Sequence, residues 1–181
     1  MGDRYARGNA LLEILAESGR VSVEDAAQRL AVRPDLNTRG EGAQLTVVTN
    51  ALNIANELLV RSRMKIVVAG GVVRPQSFEL VGPLGGALLK EVTLDVVLLG
   101  VDALDVELGA AAHHEGEAAM NSLMVARAKP VVVIADSSKL GGHAFARICP
   151  IGKVETLVTD SGAAESVLQG FRAAGVHVVM A

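Results

Sequence analysis

From residue 45 onward, short runs of Val, Leu and Ile alternate with stretches of helical periodicity, and few architectures accommodate that order. The apolar runs cover 45–49, 65–69, 94–100, 131–135, 156–159 and 176–180. Near-continuous apolar character is the pattern of strands covered on both faces. Helical stretches lie between several of them, at 52–59, 84–91, 117–128 and 163–174. Pro83 suits the first turn of its helix, where a missing N–H is no loss. The alternation predicts an α/β fold: an open, mainly parallel sheet flanked by helices on both sides.

The first 32 residues read differently. Ala6, Ala10, Leu11, Ile14 and Leu15 recur at helical spacing, and Gly19 stands where a helix stops. Ser22 then opens a capping-box pattern with Asp25 in the acidic position, ahead of a helix over 23–30 that buries Ala26, Ala27 and Leu30. Residues 33–44 are polar and without periodicity, as in a linker. The expected organisation is a small helical module over 1–40 and an α/β domain over 41–181, sizes that 181 residues accommodate.

Composition removes several function classes. With no Trp, one Tyr and three Phe, the chain lacks the aromatic platforms on which single-stranded nucleic acid stacks. Cys149 stands alone, so no disulfide framework is available and a reducing cytoplasm fits. Neither a secretory signal nor a bilayer-length apolar run is present, which predicts a soluble cytoplasmic protein without a membrane partner. The net charge is −3. Six Arg balance six acids over residues 1–40, so the acidic excess lies in the remainder.

In open parallel sheets, ligands bind beyond the carboxyl ends of the strands. The residues that follow the expected strands are Asn50, then Gly70, Gly71 and Arg74, then Gly100 and Asp102, then Asp136-Ser137-Ser138-Lys139, then Asp160. Glycines admit an anion close to backbone N–H groups, while hydroxyls and a cation add donors and charge. The set suits a phosphorylated polyol better than an apolar ligand. Each turn also has a purely structural reading, since strand-to-helix turns are polar and glycine-rich in any α/β protein, and Asp136-Ser137-Ser138 is equally a helix cap. His113-His114-Glu115 invites a metal, but adjacent side chains diverge, so a loop leading into the helix at 117 is expected and no metal or other cofactor. Glu117 is either a pocket acceptor or a first-turn acid favoured by the helix dipole. No P-loop, dinucleotide fingerprint or nucleophile elbow occurs; Gly82-Pro83-Leu84-Gly85-Gly86 fits none of their spacings.

An ordered series of segments then resembles the DeoR family of transcriptional regulators. Residues 21–32, VSVEDAAQRLAV, resemble the second helix of its helix-turn-helix, and 45–55, LTVVTNALNIA, its strand-and-helix element. GGVVR at 70–74, LVGP at 80–83, DVVLLGVDALD at 95–105, Glu117-Ala118, ADSSKLG at 135–141 and LVTD at 157–160 follow in the family's order. The resemblance implies a sensor fold similar to sugar-phosphate isomerases and CoA transferases. It also implies a repressor of a carbohydrate operon controlled by a phosphorylated sugar. The implied partners are double-stranded operator DNA, that effector, and further copies of the chain in a dimer or higher homo-oligomer. On this reading Ser22, Arg29, Arg33 and Arg39 face DNA. Asn50, Gly70, Gly71, Arg74, Asp102, Glu117, Ser137 and Lys139 form the effector site: Lys139 and Arg74 meet the phosphate, Asp102 and Glu117 the sugar hydroxyls.

Two departures stand out. Pro34 follows almost directly on the second helix, where the family carries a recognition helix. The family's first sensor strand and its Ser/Thr-rich phosphate loop are missing before Leu45. The expectation is that stretches have been omitted from the sequence, the alternative being a true deletion. The rival functions are a sugar-phosphate isomerase with Glu117 as base and Lys139 as electrostatic partner, and a sensor or scaffold domain with no DNA target. Mass spectrometry of the intact natural polypeptide is expected to exceed 18.7 kDa; agreement with that value refutes the omission.

Overall fold

The computed structural model describes residues 45–60 and 64–180. The helices expected over 1–32, the linker at 33–44, and Ser22, Arg29, Arg33 and Arg39 lie outside the described residues. The chain divides after Gly85 into two compact units.

In the first unit, β1 (Leu45–Thr49) and β2 (Met64–Val68) pair in parallel with α1 (Leu52–Leu58) between them. Ala55 and Leu58, three residues apart on one face of α1, are its buried positions. An antiparallel hairpin of β3 (Val72–Arg74) and β4 (Glu79–Val81) follows. Gly71 begins it at φ +148, and a Cβ there would lie 2.5 Å from the Val81 carbonyl oxygen, so no side chain fits. Helix α2 (Pro83–Lys90) starts on its proline, as expected, and Lys90 sits in its last turn, where a cation complements the helix dipole.

The second unit is built on a four-stranded sheet of order β11-β10-β8-β5. Its strands are β5 (Val97–Gly100), β8 (Val131–Ile134), β10 (Thr156–Thr159) and β11 (His177–Met180), and every pairing is parallel. The central strands are the most enclosed: Val132, Val133, Leu157 and Val158 are 0–2% exposed. Helix α3 (Glu115–Arg127) buries Ala118, Met120, Met124 and Val125, and α4 (Glu165–Ala173) buries Leu168 and Phe171. A second sheet of order β6-β7-β9 joins β6 (Ala103–Asp105), β7 (Gly109–Ala112) and β9 (Ala146–Cys149), all antiparallel.

The α/β architecture with a mainly parallel sheet is as expected, with boundaries shifted by at most three residues and the strands at 45–49 and 156–159 matching at both ends. Helix α3 begins at Glu115, two residues before the expected 117, because His114 caps it. The strand expected from residue 94 begins at Val97, and Leu94 makes only an isolated bridge to Ala128. Five short strands, β3, β4, β6, β7 and β9, were not expected. They are three or four residues long, and β7 is Gly-Ala-Ala-Ala, so neither alternation nor β-branched enrichment marks them.

Phe171 and Leu157 are both fully enclosed, so large-to-small changes leave a cavity beneath the sheet. Phe171→Ala is expected to destabilise the fold by about 3–5 kcal/mol in equilibrium denaturation, against less than about 0.5 kcal/mol for a change at the exposed Glu165.

Candidate functional site

In the first unit, the polar residues at the strand ends are tied into the hairpin. The Asn50 side-chain amide donates to Glu79 Oε2 at 3.2 Å and to the Leu80 carbonyl at 3.3 Å, while Leu80 N–H donates to the Asn50 carbonyl at 2.7 Å. Asn50 is 6% exposed, so these bonds satisfy a buried amide and fasten the end of β1 to β4. Arg74 stands opposite Glu79 in the hairpin register, and Gly70 is exposed at the end of β2.

In the second unit, parallel pairing brings the carboxyl ends of β5, β8 and β10 to one edge. Gly100 is level with Ile134, and Ile134 with Val158. Asp102, the 136–139 turn and Asp160 therefore leave the same rim. The turn is a single 3-10 helix, Ser137–Lys139, capped by Asp136. Asp136 Oδ1 accepts the Ser138 N–H at 3.1 Å and also the Ser138 hydroxyl. Lys139 Nζ lies 3.7 Å from Asp136 Oδ2, both side chains being substantially exposed, so this contact is weak. Beyond the turn, Gly141 N–H donates to the Leu104 carbonyl at 2.8 Å, and Leu140 bridges Leu104 in parallel.

Asp160, read among the residues beyond the strand ends but not assigned to the effector site, is the best-bonded carboxylate of the rim. Its Oδ2 accepts the Ser137 N–H at 2.6 Å and its Oδ1 the Gly162 N–H at 2.8 Å. The available signal was the Asp-Ser-Gly that follows β10, a composition that favours an Asx turn. The Ser137 N–H, then the Gly162 N–H, hold the Asp160 carboxyl below the usual carboxylate range. The Ser138 hydroxyl, followed by its N–H and the nearby Lys139, does the same for Asp136. The backbone N–H groups of Ser137 and Ser138 are thus occupied by the protein's own carboxylates.

Asp102 and Glu117 are linked through the chain. Asp102 N–H donates to the Ala111 carbonyl at 3.0 Å, and Asp102 Oδ2 accepts the His113 N–H at 2.7 Å. This fixes the segment from which α3 starts. His114 Nδ1 then accepts the Gly116 N–H at 3.2 Å, so the second histidine of the His-His-Glu run is a helix cap. Glu117 lies in the first turn and is 8% exposed. Among the described residues no group of His, Cys, Asp and Glu is arranged to hold a metal ion, and no helix is long and apolar enough to cross a membrane.

A polar rim at the carboxyl ends of a mainly parallel sheet was expected from the residues that follow the strands. Residues 10–161 match the family described as the DeoR C terminal sensor domain. The chain belongs to that family. Among its relatives, a protein named for transcriptional repression of the aga operon in Escherichia coli O157:H7 is 34% identical over 74% of this chain and 49% of its own length. The transcriptional regulator GlpR of Haloferax volcanii is 35% identical over 73% of this chain and 51% of its own. The glycerol-3-phosphate regulon repressor of Escherichia coli K12 is 28% identical over 70% and 50%. This DeoR-family chain spans about half the length of the curated relatives it matches.

Because the folded-state acidities of Asp136 and Asp160 are enhanced, their stabilisation is present above the ordinary carboxylate pKa of about 3.9 and lost as pH falls through the lower folded values. Chemical denaturation between pH 7 and pH 2 is expected to show this acid limb. Asp160→Asn is expected to make it shallower, and an unchanged slope would contradict the bonding described.

Proposed function

We propose that this chain is a DNA-binding repressor of a carbohydrate-metabolism operon whose α/β domain senses a phosphorylated sugar. Residues 1–40 form its DNA-reading end and 41–181 its effector-sensing domain. The observation that carries the reading is the single rim of the second unit, where a cation, hydroxyls and carboxylates leave parallel strand ends. The family match and the regulator names of its relatives add to it.

Lys139 is the phosphate contact: its weak hold on Asp136 is readily exchanged for a doubly charged anion. The Ser137 hydroxyl and Asp102 meet the polyol, with Asp102 Oδ2 already engaged by His113 and recognition falling to Oδ1. Glu117, at the start of the helix that Asp102 fixes, is the second hydroxyl acceptor. Asn50, Gly70, Gly71 and Arg74, also expected to meet the effector, belong to the first unit, where the bonds of Asn50 to Glu79 and Leu80 support a role in shaping the loop after β1. Binding changes the arrangement of subunits in a homo-oligomer and with it the spacing of Ser22, Arg29, Arg33 and Arg39 on palindromic or repeated operator half-sites. No catalytic step is assigned to Glu117 or Lys139. The regulator names of the relatives favour this over the isomerase alternative.

Lys139→Ala is expected to weaken sugar-phosphate binding by about ten-fold or more in calorimetry, the worth of one charge-assisted contact. Unchanged affinity refutes the assignment. A gel shift on the gene's own upstream region, reversed by the bound sugar phosphate, tests the repressor reading, and measurable isomerase turnover would favour the rival.

A further inference from the structure

The 136–139 turn is fixed on both sides by contacts that no ligand supplies. On one side, Leu140 and Gly141 are bonded to Leu104 of β6. On the other, Asp160 bridges two backbone N–H groups, those of Ser137 and Gly162. Gly162 packs so closely here that a Cβ would lie 2.6 Å from Ser137 Oγ and 2.8 Å from Asp160 Oδ1. By contrast, among the described residues the Lys139 side chain has only the 3.7 Å contact with Asp136. Thus the backbone is anchored firmly and the cation loosely. A binding site gains affinity when its supporting backbone is ordered before the ligand arrives, because that ordering entropy is not charged against binding.

We propose that Asp160 is a positioning residue for the effector site, holding the Ser137–Lys139 turn against the end of β10 so that the backbone carrying Lys139 is already ordered when the phosphate arrives. The proposal rests on the sugar-phosphate reading given above and adds a residue that does not itself meet the ligand. Its carboxylate is occupied by Ser137 and Gly162. Asp160 therefore acts through Lys139 rather than beside it. Removing it releases two N–H donors at the turn and frees the chain ahead of Lys139, while Lys139 keeps its charge. Gly162 is part of the same device, since a methyl group there presses on both Ser137 and Asp160.

The test is calorimetry on the full chain with glycerol 3-phosphate, fructose 6-phosphate and inorganic phosphate. The variants are Lys139→Ala, Asp160→Asn, Asp160→Ala, Gly162→Ala and the double Lys139→Ala/Asp160→Ala, with Glu165→Ala as the control. Asp160→Ala is expected to weaken the tighter sugar phosphate about ten-fold, Asp160→Asn less, because one acceptor oxygen survives, and Gly162→Ala to fall in the same range. In the Lys139→Ala background the Asp160→Ala change is expected to add less than two-fold, a coupling that general destabilisation would not produce. The amide proton resonance of Ser137 is expected to move upfield in Asp160→Ala without ligand. Should Asp160→Ala prove too unstable to titrate, Asp160→Asn and Gly162→Ala carry the same comparison. If Lys139→Ala weakens binding and the Asp160 and Gly162 variants do not, the positioning role is overturned and the effector reading stands. If Lys139→Ala changes nothing, or no sugar phosphate binds the natural chain, the effector reading itself fails and the positioning role with it.

Discussion

The parallel pairing of β5, β8, β10 and β11 is the constraint on which the second unit depends. Parallel strands leave all their carboxyl ends on one edge, and the enclosed central strands bury Val131, Val132, Val133, Leu157 and Val158 together with Thr156 and Thr159. Polar residues that follow these strands are therefore confined to a common rim. The site's location is a consequence of sheet topology, and only its chemistry is left to individual side chains.

That rim is internally bonded. Asp136, Asp160 and Asp102 each accept backbone N–H groups from neighbouring turns: Ser138, Ser137 with Gly162, and His113. Turn N–H groups at a sheet edge need partners, and carboxylates supply them without a ligand. A purely structural reading of each turn is thus correct as far as it goes, including the capping role of Asp136. What distinguishes the rim is that the residues left loosely held, Lys139 above all, are those suited to a charged polyol.

The small β6-β7-β9 sheet carries the chain from Asp102 to the start of α3, where His114 caps the helix and Glu117 is buried in the first turn. Its β7 is made of Gly and Ala, which lets the layers approach closely but contributes little side-chain burial of its own. Cys149, at the end of β9, is buried, and burial pushes its thiol up from the usual range, consistent with a packing residue.

The sequence by itself determined the parallel sheet and its flanking helices, because long apolar runs and helical periodicity are local signals that survive without partners. It also placed Asp102, Ser137 and Lys139 beyond strand ends, since position along the chain and a parallel topology are enough to assign them to one edge. Only the tertiary structure decided which donors and acceptors are already used: the Asp160 to Ser137 bond spans 23 positions, and that of Asn50 to Glu79 spans 29. Contacts between residues so distant in sequence leave no periodic trace. The short strands were likewise decided by their partners, because segments of three or four residues such as Ala-Leu-Asp or Gly-Ala-Ala-Ala acquire an extended pairing from the strand beside them rather than from their own propensity.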